Sequence, residues 1–363
     1  MKNIGKTLLT VAVAVILVAA SYSTYAGNPD RRGQSAASQL LINPWAASNG
    51  WGTAGLACIK GLESMYSNVA GMSFVTKTEL GYTNTQYCYG TDVTINALGI
   101  AQSLGEYKGV LGVSVMMMSF GDIEITTGDQ PEGGQGTFSP TLMNLGLSYA
   151  KSFSDAIKVG ATVRLINEGT SNTNATGFTL DAGIQYITGG QDNFHLAVAI
   201  KNIGMPMKYS GDGLDIRGSI ENGTFIQTLQ NRSAGYEMPA NLSLGLSYDF
   251  LIGSQSGAEK AENAADATHR ITLAGTFISN AYSNDQVIFG MEYSWKEMFQ
   301  IRGGFTMENG LFSDENTTTL YSGPSAGASI LIPMGKSKVA IDYAYRFTNK
   351  WKGCHFIGAR IAL

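Results

Sequence analysis

The sequence has few cysteines, few prolines and few charged residues, and each shortage excludes a class of protein. Its 363 residues include 3 Cys and 8 Pro, so neither a disulfide-rich scaffold nor a proline-rich disordered chain fits. Charged residues make up 14% of the chain, where soluble globular proteins have roughly 25%. The formal net charge of −4 provides no basic surface for nucleic acid.

Long hydrophobic runs are also missing after residue 26, which excludes a transmembrane helix in the rest of the chain. At the start, Lys2 and Lys6 precede a short apolar run from Leu8 to Ala20, and a small-residue stretch ends at Ala26. This order is typical of a secretory signal peptide. We therefore expect residues 1–26 to be a signal peptide, cleaved near Ala26, and the mature protein to be exported.

The three cysteines are Cys58, Cys88 and Cys354, and no C-x-x-C motif joins any two of them. An oxidising compartment would allow one disulfide, but the spacing does not choose the pair. Small buried thiols are the simpler interpretation.

What the chain does have is glycine, 45 residues, and a rhythm of alternating residues between positions 78 and 363. In the segment 158–165, apolar Val159, Ala161 and Val163 alternate with polar or small residues, as in a strand with two different faces. About fourteen such segments have the length that a tilted strand needs to cross a membrane. The sequence therefore predicts an all-β fold, a transmembrane antiparallel β-barrel of about 14 strands in the outer membrane of a Gram-negative bacterium.

The connections between these segments support a barrel over a soluble β-sandwich. Short turns at 105–108, 153–155 and 335–337 alternate with long loops such as 121–139 and 204–238, as in bacterial outer-membrane barrels. The polar faces hold mostly Gly, Ser, Thr and Asn, where a sandwich would present charge to water. The segment 253–267 breaks the alternation, because it is long where a short turn is due, and its composition suggests a short helix.

If the apolar faces meet lipid, the charged side chains on the other faces point into the lumen. Two interpretations are open: a polar conduit or ligand cavity, or a lattice of structural ion pairs, which we favour because both signs of charge are present. The predicted lumen charges are Arg164, Asp181, Lys201, Asp249, Glu292, Arg302, Asp342 and Arg346, with Lys158, Arg270 and Arg360 on the same faces.

Residues 27–77 precede the barrel and do not alternate. They contain Gly50, Gly52 and Gly55 in the spacing G-x-G-x-x-G, which is also that of a dinucleotide-binding loop. That interpretation fails because no strand precedes the glycines and no parallel-sheet pattern follows. We expect instead an N-terminal extension and plug, or hatch, whose glycines permit tight turns close to the inner wall.

The stretch "GWGTAGLA…MYSNVAGM", followed by about fourteen strands, resembles the FadL-like barrel superfamily, and within it the PorV/PorQ family of Bacteroidota. Asn68 and Gly71 fall in an element similar to that family's Asn-Pro-Ala-Gly, with Val69 in place of Pro. The hairpin through Glu292 and Arg302 is also similar. The resemblance implies an outer-membrane component of the type IX secretion system, which binds the translocon or the C-terminal domains of secreted cargo proteins.

Three functions are weighed on this basis. A protein-binding barrel would use its long loops, with Arg217, Arg232 and Tyr236 as contact residues. The alternative is a FadL-like transporter of hydrophobic small molecules across the outer membrane, with Met116, Met118, Leu98 and Ile100 facing inward. An enzyme is not expected, because the three histidines, His195, His269 and His355, lie in no catalytic or metal-binding motif. No cofactor and no metal are expected.

Overall fold

The computed structural model describes residues 27–105, 107–219, 226–256, 261–311, 317–335, 337–348 and 351–363. The predicted signal peptide, residues 1–26, lies outside the described residues. Among those described, no helix is long and apolar enough to cross a membrane.

Fourteen antiparallel strands close into a barrel, which confirms the predicted fold class. Each strand pairs with the next along the chain, and the first pairs with the last from Glu79↔Ala362 to Gln86↔His355. The strands, numbered here in chain order, are β1 Thr78–Gln86, β2 Thr94–Ser103, β3 Val110–Ser119, β4 Thr141–Ser152, β5 Ile157–Gly169, β6 Asn174–Thr188, β7 Phe194–Gly204, β8 Asn241–Ser254, β9 Ala267–Asn280, β10 Gln286–Trp295, β11 Phe299–Glu308, β12 Gly323–Met334, β13 Ser337–Arg346 and β14 Cys354–Ala362.

Side chains alternate between a buried lumen face and an exposed outer face along these strands. In β6 the alternation runs over nearly the whole strand, because successive residues of a strand point to opposite sides. The outer face is apolar, as a lipid-facing surface requires. Leu98 and Ile100 belong to it, with 58% and 41% of their surface exposed. The prediction that these two residues face inward is therefore wrong; Met116 and Met118, on the other face of β3, are buried.

The two ends of the barrel differ. One end, called here the turn end, has short connections, including those after β2, β4, β6, β10 and β12. The other, called the loop end, carries the long connections after β3, β7 and β11. The connection after β8 is long and lies at the turn end, as the sequence indicates. Its described residues, 255, 256 and 261–266, form bends and turns, and the remainder of the expected helix lies outside the described residues.

Short strands extend the loop end outside the barrel. Ile123–Glu124 pairs with Thr137–Phe138 in the connection after β3. In the connection after β7, Asp215–Ser219 pairs with Ile226–Gln230. These hairpins occupy the connections that the sequence predicts to be long outer loops.

The segment before β1 folds inside the barrel as short turns and helices. Its elements are the 3₁₀ helices Pro29–Arg31, Ser38–Leu41 and Val69–Phe74 and the single-turn α-helices Ala46–Asn49 and Ser64–Ser67. Most residues from 36 to 75 are buried. We call residues 36–75 the inner segment.

Candidate functional site

The glycine motif brings the inner segment against the barrel wall. Gly50 lies against Gly327 of β12, where a Cβ added to Gly327 would come within 2.6 Å of the Gly50 Cα. Gly52 has φ 68°, a left-handed conformation that glycine adopts without strain. The Trp51 side chain folds over Gly55, and a Cβ there would overlap the indole at 2.2 Å. These glycines therefore permit close backbone packing, with no arrangement for a phosphate.

Asn68 and Gly71 shape the second half of the inner segment. The Asn68 side chain accepts a hydrogen bond from the Ala70 amide at 3.2 Å and donates one to the Ile184 carbonyl of β6 at 3.1 Å. Asn68 therefore caps the 3₁₀ helix that begins at Val69 and also ties it to the wall. A Cβ at Gly71 would lie 2.2 Å from the Ile59 carbonyl oxygen, so a larger residue would separate the two turns.

Apolar contacts join the inner segment to most of the barrel's circumference. Trp45, Leu62 and Met65 pack in one cluster with residues of β2, β3 and β4. Trp51 and Ala54 pack against β9 and β10, and Leu56 and Ala57 against β7. Because its apolar side chains bury against opposite parts of the wall, the segment is held as a unit across the lumen.

All eight predicted lumen charges are buried, with exposures from 0% to 9%. Six of them take part in ion pairs. Arg164 pairs with Asp181 at 2.8 Å and also donates to the Met65 carbonyl of the inner segment at 3.0 Å. In the structure these six charges therefore belong to a network that fixes strands to each other and to the segment they enclose.

The densest ion pairs lie at the turn end. Arg270 lies 2.8 Å from Glu292, 2.7 Å from Glu297 and 3.9 Å from Asp249, and Arg302 pairs with the second oxygen of Glu292.

A second cluster links β13 and β14 to the inner segment. Arg360 bridges Asp342 at 2.7 Å and Glu63 at 3.5 Å. Glu63 in turn accepts hydrogen bonds from the Ala47 and Ser48 amides. Together with the apolar packing, these contacts hold the inner segment across the lumen.

The loop half of the lumen holds a cavity of about 600 Å³. Its floor is the inner segment, and its walls come from strand ends and loops at the loop end. Its lining mixes apolar, aromatic and hydroxyl side chains, among them Ile42, Leu56, Tyr66, Tyr87, Met118, Phe120, Leu142, Thr276, Ile278, Tyr282, Ile288, Thr319, Leu320 and Tyr321.

Two buried cations line this cavity without a carboxylate partner. The Lys201 ammonium lies 3.8 Å from the centre of the Tyr66 ring. The Arg346 guanidinium lies 4.2 Å from the centre of the Tyr321 ring and donates to the Asn49 side chain and the Tyr321 carbonyl, each at 3.3 Å. Neither cation forms an ion pair with a carboxylate of the described residues.

The tyrosines beside these cations stay neutral. Burial raises the pKa of Tyr66 and of Tyr321 above the ordinary range of a phenol, since an apolar setting disfavours a phenolate. They therefore supply ring faces to the two cations and add no negative charge beside them. One further polar atom there, the Gln39 side-chain oxygen, is buried without a hydrogen-bond partner.

The residues predicted to bind partners are spread over the loop after β7. Arg217 lies in a strand opposite Thr228, and its side chain lies outside the described part of the chain. Arg232 is exposed. Tyr236 bonds through its backbone to Met207 and lies 6.0 Å, edge to face, from Tyr209. Among the described side chains, Arg232 and Tyr236 form no hydrogen bond or ring contact with each other.

Sequence reasoning missed two groups of residues that line the cavity. Segment 32–43 and loop residues 318–321 line it, although neither belongs to an alternating segment. The apolar pair Leu320 and Tyr321 in a polar loop was the available signal. Across the described residues, no group of three or more His, Cys, Asp or Glu side chains is placed to hold a metal ion.

Comparisons with known proteins agree with this architecture. No family model matches the chain, and no curated protein matches its sequence. Among solved structures, the Pseudomonas putida toluene transporter TodX matches with a TM-score of 0.53 and 14% identity, over 88% of this chain and 97% of that one. The CymD monoaromatic hydrocarbon channel matches with a TM-score of 0.51 and 13% identity, over 88% and 97%.

A Pseudomonas aeruginosa FadL homologue matches with a TM-score of 0.50 and 11% identity, again over 88% and 97% of the two chains. Identities this low establish the fold alone. The protein therefore has the fold of the FadL-like outer-membrane β-barrels, and nothing in the comparisons singles out the PorV/PorQ family expected from the sequence.

Proposed function

We propose that this protein binds hydrophobic small molecules in the loop-end cavity as a step in their passage across the outer membrane. The observation that carries the proposal is the cavity itself, about 600 Å³, bounded by apolar and aromatic side chains together with hydroxyl, amide and cationic ones. Ligand sites of a few hundred cubic ångströms with a mainly apolar lining and a few polar groups are usual for small molecules. In barrels of this kind long loops face the exterior, so the cavity would open outward.

The fold comparisons point the same way, because matching structures are named as a toluene transporter and a monoaromatic hydrocarbon channel. In this chain the inner segment would act as a plug, because it lies across the lumen and forms the floor of the cavity. Passage beyond the cavity would then require the plug to move, and binding would not.

The two cations set a preference within this class of molecules. A buried positive charge without a carboxylate partner is costly, and an acidic group on a bound molecule would offset that cost at Lys201 and Arg346. We therefore expect an amphipathic ligand, apolar over most of its length with one acidic end, to bind more tightly than its neutral analogue.

Equilibrium binding to the purified barrel in lipid vesicles tests this. Radiolabelled dodecanoate should bind at least about ten-fold more tightly than dodecanol, because a charge-assisted hydrogen bond contributes roughly 1.5–3 kcal/mol. Lys201→Met should reduce that ratio and leave dodecanol binding unchanged. Lys151→Met is the matched control, because Lys151 lies outside the cavity beside Phe153. The same ratio of dodecanoate to dodecanol affinity in Lys201→Met and in the unaltered protein would contradict the acidic preference. If the unaltered protein bound neither dodecanoate nor dodecanol, that would contradict the proposed function.

The type IX secretion role remains a prediction from sequence resemblance, and no contact in the described residues favours it over the channel. Affinity capture from native membranes distinguishes the two. A translocon or secreted cargo proteins that co-purify in stoichiometric amounts would support secretion, and a barrel isolated alone with bound hydrophobic molecules would support the channel.

A further inference from the structure

The first and last strands of the barrel each carry a cysteine near the loop end. Cys354 is the first residue of β14, and Cys88 lies two residues beyond the end of β1. The strands pair up to Gln86↔His355, and beyond that pair the Tyr89 amide donates to the Gly353 carbonyl at 2.7 Å. The two chain segments therefore remain side by side where the cysteines lie.

The two cysteine side chains contact each other in a closed apolar cluster. The Cys88 amide donates to the Cys354 sulfur at 3.1 Å, and both side chains, free thiols in this structure, belong to the same packed cluster. Both residues are buried, with exposures of 5% and 0%, and they pack with Ala46, Ala344 and Phe356. Cys88 has φ 55°, an unusual conformation for a residue with a Cβ, and it is held there beside its partner.

The third cysteine is too far away to compete. Cys58 belongs to the inner segment, where its thiol lies 3.7 Å from the Gly55 carbonyl and beside Ser247 of β8. In a closed barrel of fourteen strands, β8 lies across the lumen from the β1–β14 seam. The structure thus selects one pair from the three that the sequence allows.

We propose that Cys88 and Cys354 form a disulfide that crosslinks the first and last strands across the seam of the barrel. Both thiols are oxidised and lose two protons and two electrons. These pass to a protein disulfide of the cell envelope, which is reduced to a dithiol by exchange. Export, expected from the N-terminal sequence, would bring the chain to an oxidising compartment where such bonds persist.

The crosslink would lie directly behind the cavity wall. Cys354 is the strand partner of Arg346, and Tyr321, which stacks on that guanidinium, packs against Tyr87 and Phe356 at ring distances of 6.0 and 6.5 Å. A covalent bond here would hold the loop ends of β1 and β14 together at the point where they support this aromatic wall.

Burial sets when the bond can form. It raises the pKa of the Cys88 thiol to about 12, so the folded, reduced protein would present almost no reactive thiolate at neutral pH. Oxidation would therefore accompany closure of the seam, and the finished bond would resist reductants until the barrel is unfolded.

Thiol counting on the unaltered protein tests the proposal without any variant. The barrel is purified from outer membranes without reductant, denatured in the presence of iodoacetamide and digested. We expect one alkylated cysteine, Cys58, and a crosslinked peptide pair containing residues 88 and 354, which separates after reduction. Alkylation of all three cysteines in the unreduced sample would overturn the proposal, and so would a crosslink through Cys58.

Three variants extend the test. Cys58→Ser should retain the crosslinked peptide and the faster migration of the unreduced, denatured chain in a gel. Cys88→Ser and Cys354→Ser should each lose both, and each should leave its former partner open to alkylation after denaturation. A crosslinked peptide that survives either substitution would rule out this pairing.

Discussion

Glu292 joins two arginines at the turn end of the lumen, and substituting Glu292→Gln tests whether the ion pairs there hold the barrel together. Glu292 is 4% exposed, and one oxygen lies 2.8 Å from Arg270 while the other accepts from Arg302. The glutamine has nearly the same size, so the change removes charge with little change in packing.

The magnitude follows from what each arginine keeps. Arg270 keeps Glu297 at 2.7 Å, whereas Arg302 keeps only the neutral side chains of Ser329 and Gln300. A buried charge that loses its partner costs about 3–5 kcal/mol. With one arginine still paired, we expect a loss near the lower figure, about 3 kcal/mol, or roughly a hundred-fold in the folding equilibrium.

Guanidinium unfolding of the barrel in lipid vesicles, followed by tryptophan fluorescence, measures this loss as a lower midpoint at unchanged slope. Glu237→Gln is the control: Glu237 is exposed at the loop end, where its pairing with Arg31 is open to solvent, and no measurable change is expected. The double variant Glu292→Gln/Arg302→Met should lose less than the two single variants combined, because it removes the uncompensated charge. Strict additivity, or a Glu292→Gln barrel as stable as the unaltered protein, would refute the reasoning.

Three further outcomes are expected. Gly304→Val should loosen the inner segment, because a Cβ there would lie 2.3 Å from the Trp51 backbone, and limited proteolysis of the inner segment should become faster. Gly303→Val is the control and should leave the proteolysis rate unchanged, because nothing lies within 4 Å of a Cβ added there. Hydrogen bonds from Tyr282 and Arg31 lower the pKa of Glu237. These hydrogen bonds should therefore be fully formed above about pH 4.5 and lost as the pH falls through the lowered pKa. Their loss should be measured as faster amide hydrogen exchange in the N-terminal segment, after correction for the intrinsic exchange rates. Burial raises the pKa of the half-buried Cys58 thiol to about 12, so maleimide should label it at pH 8 more slowly in the folded barrel than after unfolding, and equal labelling rates in the two states would contradict this.

The strands could be predicted because alternation is a local property of the sequence. In β6, for example, the polar and apolar positions predict its two faces directly, and the structure places them so. Leu98 and Ile100 were misassigned when a functional hypothesis overrode this alternation; both lie on the apolar face of β2 that meets lipid.

The cavity could not be predicted, because it depends on where a non-repeating segment settles inside the closed barrel. The positions of residues such as Ile42 and Tyr66 in the cavity lining depend on contacts with strands far along the chain. The lumen charges show the same limit: their burial follows from alternation, but which of them pair does not. In the sequence, Lys201 and Arg346 have the same position on a strand face as the arginines that form ion pairs. Only the structure shows that these two cations form no ion pair with a carboxylate of the described residues.

Photo-crosslinking with a dodecanoate that carries a diazirine tests most directly whether the loop-end cavity is the binding site. The probe is bound to the barrel in lipid vesicles, irradiated, and the labelled peptides are identified by mass spectrometry. We predict labels on Met118, Phe120 and residues 318–321, which line the cavity, and competition by unlabelled dodecanoate. Labels confined to outward-facing residues such as Leu98 and Ile100, without competition, would contradict the account.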